Sequence, residues 1–249
     1  MIRQMRVAVI GQGYVGLTIS VGALSAGHDV VGVDLSASLV SALKSGKSHI
    51  EGISDGDLAA GLKSGKYLPT TEYKVVVGCE IVVIAVPTPL NGMGGPNLSL
   101  LESAADSLGS VLSSQVLIIN ESTSHPGTLR EVIRPRIEGK SSIGHLYAIS
   151  PERVDPGNAK FGTRNTPRIV GGLSDEARDK AVEFYRTFCD NVVPVSSAEV
   201  AEAAKLLENT FRFINIGLVN EFAQIMGAMQ ILHRANAGQQ ESCQLGAFH

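Results

Sequence analysis

The chain alternates short aliphatic runs with longer amphipathic segments, and this alternation predicts its fold. Runs too short for a helix, and therefore predicted as buried strands, are residues 6–10, 29–33, 81–86, 116–120, 146–150 and 192–195. Segments with helical spacing lie at residues 14–26, 39–44, 98–112, 128–137 and 176–188. Strands separated by helices are typical of βαβ units, which form a parallel sheet covered by helices. The pattern therefore predicts an α/β fold with a doubly wound parallel sheet.

The remaining segments complete the predicted organisation. Residues 47–72 are polar and contain several glycines, and only a short helix near residues 57–63 is predicted there. One long helix is predicted from about Ser197 to Met226, because this segment contains no proline. After Met229 the apolar stripe fades, and Gly238 would interrupt a helix. We therefore expect a sheet domain at residues 1–196, the start of a central helical region at 197–228, and a divergent tail at 229–249.

Composition and charge exclude several classes of partner. Hydrophobic residues make up 44% of the 249 residues and charged residues 18%, which suits a folded core. The formal net charge of -3 gives no electrostatic basis for binding nucleic acid or an anionic membrane. Cys79, Cys189 and Cys243 are scattered and odd in number, which argues against a disulfide framework or a zinc site. We expect no metal, no nucleic-acid or membrane partner, and a cytoplasmic location.

A glycine-rich sequence follows the first predicted strand and opens the first predicted helix. At positions 11–16 it is G-Q-G-Y-V-G, which fits the G-x-G-x-x-G pattern. Gly11 would permit a tight turn, Gly13 would let the backbone approach a pyrophosphate, and Gly16 would let helix and strand pack closely. The free amides of the helix N-terminus favour bound phosphate. The alternative is a tight turn with a structural role only.

An acidic residue ends the second predicted strand. Asp34 follows the glycine sequence at about the separation of roughly 20 residues that is typical of dinucleotide-binding folds, where a carboxylate accepts ribose hydroxyls. The same carboxylate would repel a 2′-phosphate, and residues 35–38 supply no arginine to bind one. Strand, glycine sequence, helix and Asp34 together predict a Rossmann-type fold that binds NAD in preference to NADP.

Two further loops follow predicted strands at the edge where ligands bind in open α/β sheets. They are residues 86–90 and residues 121–128, which include Thr88 and Thr123. We expect both loops to face the cofactor. An equal alternative is that their prolines and threonines only end strands and cap helices.

The long predicted helix carries a lysine and an asparagine four positions apart. Lys205 and Asn209 therefore share one helix face and could address one ligand. Such a pair is suited to hold a polarised alcohol oxygen near developing negative charge. A solvated helix face is the alternative that the spacing alone favours.

Ordered motifs across residues 6 to about 225 resemble those of the UDP-glucose/UDP-N-acetylhexosamine 6-dehydrogenase family. They are Gly-Tyr-Val-Gly-Leu at 13–17, Val-Pro-Thr-Pro-Leu at 86–90, Glu-Ser-Thr at 121–123 with Pro-Gly-Thr at 126–128, Ser-Pro-Glu-Arg-Val-Asp-Pro-Gly at 150–157, and Lys-Leu-Leu-Glu-Asn-Thr at 205–210 with Asn-Ile-Gly-Leu-Val-Asn-Glu at 215–221. The form of residues 151–157 is most similar to the branch acting on UDP-N-acetylglucosamine or UDP-N-acetylmannosamine.

The resemblance implies roles for individual residues. It implies NAD contacts by Gly11, Gly13, Tyr14, Val15, Gly16, Asp34, Thr88 and Thr123. It implies that Thr123, Glu152, Lys205 and Asn209 surround the reacting C6 carbon, and that Arg153 helps them bind the UDP-sugar. Enzymes of this family oxidise the C6 alcohol to an aldehyde, trap it on a cysteine, oxidise it again to a thioester and hydrolyse it to a uronic acid used in surface polysaccharide precursors.

The sequence departs from the family pattern at the nucleophile. No Gly-Gly-His-Cys-Ile-Pro-like motif is present, and Cys243 lies in Glu-Ser-Cys-Gln-Leu. The resemblance therefore implies a chain without the UDP-binding domain, and an inactive NAD-binding or dimerising fragment is the main alternative to an active dehydrogenase. A redox-sensing regulator is a third hypothesis, but no basic recognition helix is visible. We also expect a homodimer or self-association through the long helix.

Overall fold

The computed structural model of the protein describes residues 3–50, 52–141, 143–151 and 164–229. Within them, eight strands form one sheet: β1 (Arg6–Ile10), β2 (Asp29–Val33), β3 (Tyr67–Thr70), β4 (Ile81–Ile84), β5 (Leu117–Asn120), β6 (Leu146–Ile149), β7 (Arg168–Gly172) and β8 (Val192–Pro194). Their order is β3-β2-β1-β4-β5-β6-β7-β8, and β1 to β6 are parallel. The chain winds outward in both directions from β1, as in a Rossmann-type fold. This confirms the predicted fold class.

The hydrophobic pattern does not predict β3 or β7, and it does not predict the direction of β7. Pro69 interrupts β3, and a proline lacks a ladder donor, but β3 is the edge strand, where proline is tolerated. The β7 strand ends in two glycines, which have low strand propensity. It runs antiparallel to β6, with Ala148 opposite Gly172. The sheet is therefore mostly rather than wholly parallel.

Helices cover both faces of the sheet. The α-helices in the described residues are α1 (Tyr14–Ser25), α2 (Ala37–Lys44), α3 (Asp55–Lys63), α4 (Ser99–Val111), α5 (Arg134–Glu138), α6 (Asp175–Arg186) and α7 (Ala198–Ala228). A π-helical turn, Leu129–Ile133, runs directly into α5. The side chains of Ser36, Ser54 and Ser174 each accept a main-chain N–H three residues later and so start α2, α3 and α6. The starts predicted at residues 39 and 57 are two residues late, because the first large apolar side chains of the two helices are Leu39 and Leu58.

Strand residues alternate between two apolar layers, one on each face of the sheet. Val7 and Val9 face the layer that includes α1 and α6, whereas Ala8 and Ile10 face the layer that includes α4 and the helical segment 129–138. All four are at most 1% exposed. Full burial of a valine or isoleucine side chain stabilises the folded state by about 1.5–3 kcal/mol. Packing on both faces therefore stabilises the sheet. The loops that follow the strands start from well-packed positions at its carboxyl edge.

The long predicted helix is present as α7. The chain divides into two compact units, residues 1–206 and 207–249, and the division lies within α7. Ala198, Ala201 and Glu202 are buried in the first unit. From residue 207 to residue 229 all large hydrophobic side chains except the half-buried Met226 are exposed: Leu207, Phe211, Phe213, Ile214, Ile216, Leu218, Val219, Phe222, Ile225 and Met229. The domain boundaries at 196 and 228 stay predictions.

Among the described helices, including α7, none combines the length and the apolar character that crossing a membrane requires.

Candidate cofactor site

The glycine sequence forms a tight turn between β1 and α1. Gly11 has a φ of 87°, and a Cβ added there would lie 2.5 Å from the carbonyl oxygen of Ala85. A Cβ added at Gly16 would lie 1.8 Å from the carbonyl oxygen of Gly11. Backbone atoms cannot yield to such contacts, so both positions require glycine. The turn and the close approach of α1 to β1 that the sequence predicts are both present.

The N-terminus of α1 is open on the side where a pyrophosphate would lie. Gly13 is the N-cap residue and is exposed, and a Cβ added there would meet no protein atom within 4 Å. Tyr14 and Val15 form the first turn of α1 and are half-buried, and no acidic residue lies in that turn. The main-chain N–H groups of a first helical turn lack partners within the helix and favour an anion. The local structure therefore fits a bound phosphate group.

Gln12 anchors the glycine turn from beneath, a role that sequence reasoning missed. Its side chain is fully buried, and its Nε2 donates to the carbonyl oxygens of Val9 at 3.0 Å and Gly11 at 3.2 Å. Its Oε1 accepts from the Tyr67 hydroxyl at 2.8 Å, and the Ser20 hydroxyl, 3.2 Å away, has a nearer acceptor in the carbonyl oxygen of Gly16 at 2.9 Å. Both amide hydrogens and the amide oxygen of Gln12 are bonded, which holds the turn in place. The polar residue at the second position of the G-x-G-x-x-G pattern was the sequence feature that could have indicated this role.

Asp34 lies beside this turn at the carboxyl end of β2. The main-chain N–H of Gln12 donates to Oδ2 at 2.8 Å, and the main-chain N–H of Ser36 donates to Oδ1 at 2.9 Å. The carboxylate is therefore fixed in orientation by the two segments on either side of it. Each oxygen has a further lone pair, so the group can still accept the two hydroxyls of a ribose. The geometry fits the cofactor preference predicted for this residue.

The loops after β4 and β5 are joined to each other at the same edge of the sheet. The Thr88 hydroxyl donates to the carbonyl oxygen of Thr123 at 2.8 Å, and the Ser122 hydroxyl donates to the carbonyl oxygen of Val86 at 2.8 Å. Parallel pairing places the carboxyl ends of β1, β2, β4 and β5 along one edge. The structure thus brings Thr88 and Thr123 together, on the edge that carries the glycine turn and Asp34.

A buried ion pair supports the loops after β5 and β6, and it was not predicted from the sequence. Arg168 of β7 pairs with Glu121, and its NH1 also donates to Ser150 Oγ at 3.0 Å. The Tyr185 hydroxyl donates to the same Glu121 oxygen, and the Arg168 guanidinium lies 4.4 Å from the centre of the Tyr185 ring. Burial raises the pKa of the Tyr185 hydroxyl, and the charge of Glu121 raises it further, so it remains a donor.

The residues predicted to bind the sugar are only partly described. Lys205 is half-buried and Asn209 is exposed, and both belong to α7, four residues apart as predicted. Glu152 and Arg153 lie outside the described residues. In the part of the chain that is described, no group of acidic, histidine or cysteine side chains could hold a metal ion.

The matched sequence decides the family. Residues 5–189 match the NAD binding domain of the UDP-glucose/GDP-mannose dehydrogenase family. The chain belongs to this family. The glycine turn, Asp34 and the joined loops at the carboxyl edge all lie within the matched residues. NAD is the cofactor of this domain.

Individual relatives agree with this assignment. The chain is 38% identical to the UDP-N-acetyl-D-mannosamine dehydrogenase of Pyrococcus horikoshii over 223 residues, which cover 88% of this chain and 53% of that protein. It is 33% identical to the UDP-N-acetyl-D-glucosamine 6-dehydrogenase of Salmonella typhi over 237 residues, which cover 92% and 54%. The chain spans about half the length of these curated relatives.

Solved structures show the same fold. The UDP-D-ManNAc dehydrogenase of Pyrococcus horikoshii matches with a TM-score of 0.83 and 37% identity, over 89% of this chain and 54% of that one. A ternary complex of GDP-mannose dehydrogenase from Pseudomonas aeruginosa matches with a TM-score of 0.81 and 29% identity, over 90% and 54%. This chain therefore shares its Rossmann-type sheet with dehydrogenases of this family whose structures are solved.

Proposed function

We propose that this chain supplies the NAD-binding half of a UDP-sugar 6-dehydrogenase. The substrate class is UDP-N-acetylglucosamine, UDP-N-acetylmannosamine or UDP-glucose, and the product is the corresponding uronic acid, a precursor of surface polysaccharide. The observation that carries the proposal is the Asp34 carboxylate, fixed by the main-chain N–H groups of Gln12 and Ser36 beside the open N-terminus of α1. Relatives named as dehydrogenases of two of these sugars support the substrate class.

Each residue of the site has a distinct proposed task. Asp34 accepts the hydroxyls of the adenosine ribose, and the first turn of α1 binds the pyrophosphate. Thr88 and Thr123 contact the rest of the dinucleotide, which when bound supplies a hydride acceptor. We assign Thr123, Glu152, Lys205 and Asn209 to the surroundings of the C6 carbon, with Arg153 on the sugar. The Lys205 ammonium would stabilise negative charge developing on the alcohol oxygen.

A second candidate function is an NAD-binding, self-associating module without turnover. Two observations favour it. Burial raises the pKa of the Cys79 thiol to about 11 and also raises that of Cys189, so neither is a ready thiolate nucleophile. Self-association would cover the exposed apolar side chains that α7 carries from residue 207 onward.

The cytoplasm is the compartment that we propose for this function. Cys79 is a buried free thiol. Free thiols are typical of reducing compartments.

Mass spectrometry of the sugar nucleotide tests whether this chain turns over substrate by itself. A polypeptide of these 249 residues is incubated with excess NAD+ and, in turn, each of the three UDP-sugars, and NADH is followed by absorbance. We expect no uronic acid from this polypeptide alone, because burial disfavours the thiolates of Cys79 and Cys189 and because much of the binding energy used in the first oxidation comes from contacts to UDP far from the reacting carbon. Two NADH per sugar together with the acid would instead assign complete turnover to this chain. If Cys243→Ser then abolished it, Cys243 would be the nucleophile.

A further inference from the structure

One buried carboxylate joins the start of α7 to the loop that carries Thr123. Glu202 is 1% exposed. It accepts the main-chain N–H of Gly127 at 2.6 Å and that of Leu129 at 3.1 Å, and the Ser124 hydroxyl lies 3.4 Å from its Oε1. A buried carboxylate is costly unless it is hydrogen-bonded, and here three donors converge on it. Burial raises the pKa of the Glu202 carboxyl, while the N–H groups of Leu129 and Gly127 oppose that shift.

Two of the three donors, the main-chain N–H groups of Gly127 and Leu129, lie at the N-terminus of the helical segment 129–138. The first N–H groups of a helix have no partner within it, and its dipole favours negative charge at this end. Most such caps come from a neighbouring residue, but Glu202 lies 73 residues after Leu129. One turn earlier on α7, Glu199 pairs with Arg130 Nε at 2.8 Å. The beginning of α7 is therefore fixed to the beginning of this helical segment at two places.

The loop between β5 and this helical segment is held at both ends. On the β5 side, Asn120 Nδ2 donates to the carbonyl oxygen of Ser122 at 3.1 Å. In the middle, Thr88 donates to the carbonyl oxygen of Thr123. On the helical side, Glu202 holds Gly127 and Leu129, as described above. Glu202 is thus the anchor of one end of the segment that contains Thr123.

The order of the strands tells which part of the dinucleotide this loop faces. Asp34 follows β2 and the glycine turn follows β1, so they bind the adenosine ribose and the pyrophosphate. The loop after β5 lies on the other side of β1, beyond β4. It therefore faces the nicotinamide end of a dinucleotide that lies across the carboxyl edge.

We propose that Glu202 is a positioning residue for the nicotinamide end of the cofactor, because it holds residues 124–129 and thereby sets the place of Thr123. This rests on the proposed function, since it requires NAD to bind as described. Glu202 itself touches neither cofactor nor substrate. Its effect on binding should therefore be confined to ligands that carry the nicotinamide.

Paired titrations with NADH and with ADP-ribose, which lacks the nicotinamide, test this inference. In Glu202→Gln, one main-chain N–H loses its acceptor, and we expect NADH to bind about tenfold more weakly, equivalent to about 1.4 kcal/mol. ADP-ribose should bind as it does to the unmodified chain. Glu199→Gln, which removes the exposed pair with Arg130 one turn away, is the matched control and should change neither affinity. Circular dichroism checks that each variant is folded.

The outcomes separate the inference from the function it rests on. An unchanged NADH affinity in Glu202→Gln, or equal losses for NADH and ADP-ribose, would overturn the positioning role. If Glu202→Gln does not fold, Ser124→Ala replaces it; a smaller loss confined to NADH supports the role, and no such loss overturns it. If the unmodified chain binds neither ligand, the proposed function itself fails.

Discussion

The hydroxyl of Tyr67 donates a 2.8 Å hydrogen bond to the side-chain oxygen of Gln12, which lies 55 residues earlier in the chain. Tyr67 is the first residue of the edge strand β3, and Gln12 lies within the glycine turn. The edge of the sheet therefore helps to fix the turn that receives the pyrophosphate. Burial raises the pKa of Tyr67, and the charge of Asp34 adds to this, so the hydroxyl remains a donor across the physiological range.

Removing this hydroxyl should loosen the turn without unfolding the chain. In Tyr67→Phe the Gln12 oxygen loses its 2.8 Å donor, and the Ser20 hydroxyl that remains nearby also donates to Gly16. We expect a loss of about 0.5–1.5 kcal/mol in the free energy of unfolding. Affinity for NADH should fall with it. Urea unfolding and cofactor fluorescence measure the two effects. Tyr147→Phe, which deletes a hydroxyl of β6 outside this network, should leave NADH affinity unchanged; equal losses in both variants would contradict the role of Tyr67.

The buried pair of Glu121 and Arg168 should show strong coupling. Their side chains are 0% and 5% exposed, so removing either partner leaves an uncompensated charge in the core. We expect Glu121→Gln or Arg168→Met to lower the free energy of unfolding by about 3–5 kcal/mol each, and the double variant to lose clearly less than the sum. Urea unfolding of the four proteins completes the cycle. Arg164→Ala removes one partner of an exposed pair with Asp190 and should change little. Additive losses would show that the buried charges act independently.

These networks also mark the limit of what the sequence could predict. The glycine turn and Asp34 are local signals with fixed spacing, so both were found, together with six strands and the long α7. The strand β3 was missed because Pro69 argues against a strand unless its edge position is known. Gln12, Glu121 and Arg168 were missed because their key contacts join distant parts of the chain. Tyr67 lies 55 residues from Gln12, and Arg168 lies 47 residues from Glu121. Such contacts depend on the order of the strands, which a hydrophobic pattern does not give.

The free energy of unfolding should fall as the pH is lowered, because His28 is buried and its hydrogen bonds require the neutral ring. The Met5 main-chain N–H donates to Nδ1 at 3.2 Å, and Nε2 lies 3.0 Å from Thr187 Oγ1. The Thr187 hydroxyl donates its proton to the carbonyl oxygen of Phe184, so towards His28 it can only accept. Nε2 therefore carries the hydrogen of the neutral ring. Protonation of Nδ1 would point the new N–H of the imidazolium at the main-chain N–H of Met5, so that two donors would face each other. Burial accordingly lowers the pKa of His28 below its usual 6.5.

The sign of the pH effect follows from this lowered pKa. The contribution of His28 is fully present above pH 6.5 and is lost as the pH falls through the folded-state pKa, because the unfolded chain binds the proton more readily. We expect His28→Gln to reduce the dependence of the free energy of unfolding on pH below that point. The exposed His49→Gln is the control and should retain the full dependence. Urea unfolding at a series of pH values makes the comparison; identical slopes in all three proteins would contradict it.

Self-association should depend on the exposed apolar side chains of α7. Phe213 is 80% exposed and Leu218 is 62% exposed, and exposed apolar surface of this kind favours association. We expect the chain to form dimers or larger species at high concentration by light scattering, and Phe213→Glu with Leu218→Glu to shift it towards the monomer. Leu35→Glu, at an exposed leucine outside α7, should have no such effect. A strictly monomeric unmodified chain would contradict this expectation.

Titration with NADH and NADPH tests the proposed cofactor site most directly. Asp34 is fixed by Gln12 and Ser36, and its carboxylate suits two hydroxyls but repels a 2′-phosphate. We expect the unmodified chain to bind NADH at least about tenfold more tightly than NADPH, a difference of about 1.4 kcal/mol or more. Asp34→Ser should lose most of this preference, while Asp29→Asn at the other end of β2 should keep it. Equal affinity of the unmodified chain for the two cofactors, or binding of neither, would contradict the assignment.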